Sequence, residues 1–354
     1  MAGLLVHILA ALAVARAQKA VRLINLTLGE EHRQWGQFFV EHMPRRCATY
    51  DEGSTLMAIG SDHFVYELTT CDDILQAVIM FCHHDGAGEY PAGHKCATAY
   101  FAALLDQGKL GASDAARARR TVAAMEDTVE FNALAATGRL RFRDDFVTSN
   151  WHLAWVVDEV TRGGTAPVRA LEIGSYEGRS AWLWYRLLGR APGSTLTCVD
   201  IQFAEHFEYN VEPLRTAGFL ERTLEKPSNR ALFDLDPERP YDLIYVDGSH
   251  NATHVLADVV MADALLRDGG LMILDDIEWR GVTDAAERFF EINKDRYVVV
   301  AVMRQLALRK FSGAELQTGD KAARYQDIEL AAASWDGSAI ERGAERDRLA
   351  GAAG

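Results

Sequence analysis

The chain is short of positive charge: 37 Lys and Arg stand against 51 Asp and Glu in 354 residues, a formal net charge of −14. Nucleic acid as the main partner calls for a basic face, and an anionic membrane surface calls for a polybasic segment. The balance argues against both and favours a small or neutral substrate. The run RARR at 117–120 lies on a helical stretch and reads as a solvated face. Membrane spans are also lacking. The opening MAGLLVHILAALAVARAQ holds about 13 apolar residues, too few to cross a bilayer. It has no basic residue before the run and His7 interrupts it, so it reads as an ordinary helix more readily than as a cleaved leader.

Cysteine is scarce. Cys47, Cys71, Cys82, Cys96 and Cys198 make an odd number with no CxxC pair, which predicts reduced thiols in a cytoplasmic setting. Cys82, His83, His84, His94 and Cys96 are of zinc-ligand type, but their spacing fits no finger, and a turn between helices explains the nearby Gly and Pro equally well. Two glycine motifs are missing as well. There is no GxGxxG, which disfavours a nicotinamide dinucleotide, and no G-x-S-x-G, which disfavours a hydrolase elbow.

What is present divides the chain. Composition is that of a globular protein, 49% hydrophobic and 25% charged, and the length suggests two domains. Residues 1–143 carry mostly helical periodicity and predict a mainly helical N-terminal domain, with FVYELTT at 64–70 as a candidate strand. Residues 144–311 alternate between strand and helix. VRALEI, STLTCVD, YDLIYVD, GGLMILDD and RYVVVAVM read as strands; SAWLWYRLLG, THVLADVVMADALLRD and VTDAAERFFEI lie between them as helices. That alternation predicts an α/β fold, a doubly wound, mostly parallel sheet of Rossmann type. Residues 312–354, rich in Ala, Gly and charge, read as a polar tail.

The first strand of that region runs into LEIGSYEGRSA, Leu171 to Ala181, and a helix follows at once. Glycines at 174 and 178 let the backbone turn and approach a ligand, and the helix N-terminus attracts negative charge. A plain βα turn would have the same look. The next strand ends at Asp200, placed to accept hydrogen bonds from ribose hydroxyls or simply to cap the next segment. Together the features point to an adenosine-containing ligand at the carboxyl ends of the strands.

LEIGSYEGRSA, Asp200, YDLIYVDGSH and LLRDGGLMILDDIEW, in that order, resemble the class I S-adenosylmethionine-dependent methyltransferases, in the branch with an EIGSxEGRS loop and a later DGSH. The likeness extends over about half the chain, from the lead-in DDFVTSNWHLAWVVDEV to a closing strand ending ALRK. It implies that Glu172 and the loop Gly174, Ser175, Tyr176, Gly178 surround the methionine part of the cofactor and that Asp200 holds the ribose. Ser180, Ile201 and Asp247 complete the set, and Pro227, Ser228 and Asn229 fall in the adenine-side interval.

In VDGSH, residues 246–250, adjacent Ser249 and His250 diverge at a strand end and do not form a nucleophile and its base. Asp247 closes one strand and Asp275 and Asp276 the next, so three carboxylates converge at one rim and suit magnesium or a similar cation. The alternative is that these acids cap the segments that follow. The resemblance to metal-dependent O-methyltransferases makes Asp247, Asp275 and Asp276 the metal ligands and His250 the general base. His254, one turn on, reads as solvated or capping, Trp151, Trp155, Trp182 and Trp184 mostly as core, and Trp279 as a wall of the acceptor pocket.

The resulting expectation is a divalent-metal-assisted O-methyltransferase acting on a hydroxyl of a small molecule or sugar. Its N-terminal domain covers the acceptor site or builds a homo-oligomer. The alternatives are a Rossmann oxidoreductase of the NAD type and a methyltransferase-like scaffold that binds without turnover.

Overall fold

A computed structural model describes residues 23–26, 55–60, 64–69, 78, 82, 92–143, 153, 157–161, 166–189, 191–277, 279–293, 295–302 and 305–311. The chain forms two compact units, Met1–Ala115 and Ala116–Gly354. The opening apolar stretch, the lead-in at 144–152, His83, His84 and the tail from 312 lie outside the described residues.

In the first unit, strands β1 (Leu23–Leu26), β2 (Thr55–Gly60) and β3 (Phe64–Thr69) form an antiparallel sheet in the order β1-β3-β2. The FVYELTT candidate is β3; its β-branched and aromatic residues suit a pleated surface. Helix α1 (Ala92–Asp106) buries Ala97, Phe101 and Leu104 at helical spacing. One expectation is corrected here. Cys82 is joined to Cys96 by a disulfide, their Cα atoms 5.6 Å apart and within reach of a bridge. A reduced state therefore does not hold for this pair, and neither thiol is left to bind zinc. Pairing at a separation of 14 residues carries no CxxC signal, because the fold and not the local spacing brings the two together. Cys198 is free and buried.

Helix α2 (Ala112–Ala136) leads into the second unit. After the short α3 (Asp158–Thr161) come β4 (Arg169–Ile173), α4 (Arg179–Leu188), β5 (Thr195–Asp200), α5 (Phe207–Thr216), β6 (Leu220–Glu225) and α6 (Ser228–Ala231). Then follow β7 (Tyr241–Val246), α7 (Ala252–Leu265), β8 (Leu266–Leu274), α8 (Arg280–Asn293), β9 (Tyr297–Val302) and β10 (Leu306–Lys310). The seven strands lie in the order β6-β5-β4-β7-β8-β10-β9, with β10 antiparallel to both neighbours and the other pairs parallel. This is the expected doubly wound Rossmann-like sheet. Ala170–Ile173 and Leu243–Val246 are buried, as strands covered on both faces must be.

Several elements were not read from pattern, β6 and α5 among them. β6, LERTLE, is an edge strand with exposed charges at three of six positions, so it shows no apolar run. α5, FEYNVEPLRT, is short and holds Pro213, yet its face Phe207, Asn210, Val211 and Leu214 is buried at helical spacing. The helix expected to run to Asp268 stops at Leu265, and LRD begins β8; Gly269 at φ 73° lets the chain bulge there.

Between β4 and its two neighbours the connections depart in opposite directions, which opens a crevice at the carboxyl ends of the strands. Away from that rim, Asp263 holds the far end together. Its carboxylate accepts from Arg296 (2.7 and 3.0 Å) and from Tyr297 Oη (2.7 Å), with Lys310 Nζ at 3.1 Å. Burial opposes its ionisation, but these partners outweigh it and hold its pKa below the ordinary value. A depressed carboxylate stabilises the fold above the ordinary carboxylate range, and that contribution is lost as pH falls through the folded pKa. Asp263→Asn is therefore expected to lose roughly 1–3 kcal/mol at neutral pH. It should also flatten the acid limb of the stability curve, which urea unfolding at pH 7 and pH 3 will measure.

Candidate functional site

Gly174 is a point of close backbone approach at the rim. It sits at φ 94°, and a Cβ there would lie 2.1 Å from the Asp247 carbonyl oxygen and 2.7 Å from Gly248 Cα. Only glycine lets the end of β4 rest on the end of β7. Gly178, at φ 78°, has Val211 Cγ1 2.5 Å from where its Cβ would be, so α5 closes onto the loop. Gly174 is thus imposed by backbone packing, and Gly178 by its left-handed φ and the side chains of α5, whatever ligand the loop receives.

Tyr176 adopts φ 43°, a left-handed conformation that costs a non-glycine residue on the order of 1–3 kcal/mol. Its N–H donates to Asp200 Oδ2 (2.8 Å), while Asp200 Oδ1 accepts from Gln202 N–H (3.0 Å). Asp200 therefore ties the glycine loop to the end of β5, and each oxygen retains a lone pair for a further donor. On either side of it Tyr176 and Ile201 are 43% and 71% exposed, an apolar rim around an acid. Ser228 opens α6 beside this rim, half-buried.

Glu172 is placed differently from its loop neighbours. It is fully buried, accepts from Trp184 Nε1 (3.0 Å), and has Cys198 Sγ at 3.6 Å. Burial raises its pKa, opposed by hydrogen bonds with Ser175, Ser180, Trp184 and Cys198. It supports the loop from beneath, together with buried Ser175 and Ser180.

At the end of β7 the chain turns through Gly248. Asn251, not Asp247 or Ser249, caps α7, its Oδ1 accepting from Thr253 N–H at 3.0 Å. Ser249 Oγ accepts from Asn251 N–H (3.2 Å) and lies 3.3 Å from His254 Nδ1. His250 points elsewhere: its Nε2 is 2.9 Å from Asp276 Oδ2, and its ring stacks on Trp279 at 4.5 Å and 15°. A carboxylate only accepts, so Nε2 carries the proton and the basic lone pair is assigned to Nδ1.

Asp247, His250 and Asp276 offer ligand atoms within 4.8 Å of one another. Asp275 is turned away from this group. It is buried and accepts from Gln305 Nε2 (2.6 Å), Asp276 N–H (2.8 Å) and the Tyr245 hydroxyl. Burial, with the Asp275, Asp247 and Glu172 carboxylates near it, pushes the Tyr245 hydroxyl well up, so it stays a donor. Asp275 thereby locks the ends of β7, β8 and β10, and Asp276, at φ 52°, swings its carboxylate toward His250. The donor set has two carboxylate oxygens and one imidazole nitrogen, which fits a divalent cation.

Three supporting groups carried no sequence signal. Gln305 and Tyr245 serve through Asp275. Gly281 lets the start of α8 approach the turn: a Cβ there would be 2.1 Å from the His250 carbonyl oxygen.

Gly174→Ala is expected to force β4 and β7 apart. Its melting temperature should fall by roughly 2–4 °C or more, as a loss above about 1 kcal/mol implies in a unit of this size, and calorimetry would show a wild-type value if the approach were dispensable.

Residues 171–277 match the model of a family described as a methyltransferase domain. Comparison with curated proteins finds no match. Among solved structures, the MycE methyltransferase of the mycinamycin biosynthetic pathway, in complex with Mg, SAH and mycinamycin VI, is 18% identical, with a TM-score of 0.39. That alignment covers 55% of this chain and 56% of MycE, so the chain spans just over half of that protein's length. SAH-bound PaMTH1 from Podospora anserina is 18% identical over 52% of this chain and 88% of its own, TM-score 0.40. The O-methyltransferase TomG from Streptomyces achromogenes, involved in tomaymycin synthesis and solved with SAM, is 19% identical over 54% and 90%, TM-score 0.38.

Proposed function

We infer, from the match of residues 171–277 to a methyltransferase domain, that this protein is a class I enzyme that moves a methyl group from S-adenosylmethionine to a hydroxyl oxygen of a small molecule or sugar, with a divalent cation such as Mg2+ assisting. The observation that carries the oxygen-directed, metal-assisted part is the Asp247, His250 and Asp276 cluster, within 4.8 Å, at the ends of β7 and β8, with β7 paired to the strand that leads into the glycine loop.

The Gly174–Gly178 turn receives the methionine portion, Asp200 accepts from the ribose hydroxyls, and Tyr176 and Ile201 flank the nucleoside with apolar surface. Ser228 bounds the adenine side. Asp247 faces both ends, because its backbone abuts Gly174 while its carboxylate belongs to the cluster.

At the acceptor end, a cation held by Asp247 and Asp276 would lower the hydroxyl's pKa and fix its oxygen. Asp275 orients Asp276 from behind. His250 takes the hydroxyl proton on Nδ1, while Asp276 accepts from Nε2–H and so stabilises the imidazolium that forms. Trp279 holds the imidazole face and, at 41% exposure, walls the acceptor side. Holding both reactants in line supplies much of the rate. A second reading makes His250 the third ligand, because its nitrogen lies inside the cluster.

Asp200→Ala is expected to weaken S-adenosylmethionine binding by about 10- to 100-fold in calorimetry, as loss of charge-assisted hydrogen bonds requires. Unaltered affinity would remove the ribose assignment. EDTA is expected to abolish transfer and Mg2+ to restore it. His250→Ala should lower kcat at least about 100-fold with donor affinity intact. If His250→Ala instead weakens metal binding and excess metal restores turnover, His250 is a ligand; normal turnover would rule out both roles.

A further inference from the structure

We propose that Asn210 and the segment 140–143 form a strap that positions the donor loop, so that its binding shape depends on residues preceding the matched methyltransferase domain. The proposal rests on reading the Gly174–Gly178 turn as the donor site.

The strap is built around one buried carboxamide. Asn210, on α5, is fully buried. Its Oδ1 accepts from Arg141 N–H at 2.7 Å, and its Nδ2 donates to Arg141 O at 3.1 Å and to Glu177 O at 2.9 Å. Both faces of the amide are used, pairing with the Arg141 backbone as a neighbouring strand would. A second tie lies alongside: Arg143 N–H donates to Glu177 Oε2 at 2.7 Å. Glu177 is therefore gripped by its carbonyl and its carboxylate, both from outside the loop.

The far side of the strap is anchored too. Leu140 is buried, and the Phe142 ring lies edge-on to Phe131 of α2 at 6.3 Å. Phe131 stacks on Trp182 of α4, whose Nε1–H returns to Asn210 O at 2.7 Å. The circuit closes: strap, α2, α4, α5 and loop brace one another.

Its position makes this more than general stability. Glu177 sits between Tyr176, held at φ 43°, and Gly178, held at φ 78°. A left-handed non-glycine residue persists only where its surroundings over-determine it. Tyr176 N–H is the group that reaches Asp200. Release of Glu177 lets Tyr176 relax and uncouples the loop from Asp200. The acceptor cluster stands on β7 and β8 and keeps its geometry. The strap should therefore act on donor binding and leave the chemical step alone.

The test uses full-length protein with Asn210→Ala and, at a half-buried position less prone to misfolding, Phe142→Ala. Expected for Asn210→Ala is about a tenfold rise in the Kd and KM for S-adenosylmethionine, and for Phe142→Ala about threefold. The acceptor KM and kcat at saturating donor should stay within about twofold. Phe289→Ala, which costs stability where α8 packs into the core, should leave the donor KM unchanged. Hydrogen exchange should quicken at residues 174–178 in both strap variants and stay unchanged at 243–246. An unaltered donor KM in both variants, or a matched fall in kcat, overturns the strap. If wild-type protein bound no S-adenosylmethionine, the functional reading would fail alone. Exchange at 174–178 would still decide, and unchanged protection would reject the strap.

Discussion

The ends of β4 and β7 touch, backbone against backbone, where residue 174 has no side chain. A single methyl group there would collide with the Asp247 carbonyl at 2.1 Å, so this contact sets the distance between the two halves of the site. On one side lies the loop that ends in Gly178, on the other the turn that carries Asp247 and His250. A reaction between two bound molecules needs them held in contact with their reacting atoms aligned. The glycine contact puts the donor loop and the acceptor cluster on adjacent strands at the topological switch point of the sheet.

Around that contact the carboxylates divide by surroundings. Glu172 is buried beneath the loop and Asp275 beneath the acceptor rim, each saturated by hydrogen bonds from neighbouring elements. Asp200, Asp247 and Asp276 are half-buried at the rim, where a ligand can reach them. The buried pair supports and the rim acids present. Tyr176 and Asp276, the two described non-glycine residues at positive φ, lie one on each side of the site. Backbone strain at such positions persists where packing over-determines it. Asn210 supplies that constraint on the donor side, and Asp275 with Gln305 supplies it on the other.

Much of this was legible in residue order. Apolar and β-branched runs marked β4, β5, β7, β8 and β9; in β4 and β7 they are continuous because a strand buried on both faces must be apolar along its length. The glycine spacing after β4 and the acids after β5, β7 and β8 marked the rim, because parallel strands end on one side. β6 was not legible by pattern, since an edge strand carries charge, nor was α5, which is short and contains Pro213. The Cys82–Cys96 bridge was misread for a related reason: no local spacing announces a pair that the fold brings together.

Residue order was enough for the central strands, the crevice and the chemical types gathered there, because these follow from periodicity and strand polarity. Which acid does what came only with packing. Asp275 and Asp276 are neighbours in the chain and both acidic. The left-handed turn at Asp276 and the partners of Asp275 send their carboxylates to opposite sides of the rim, one to His250 and one to Tyr245. Likewise, nothing in the spacing of 141, 177 and 210 marks a common site. Their meeting depends on side-chain direction and on packing between elements distant in the chain, which sequence order does not encode locally.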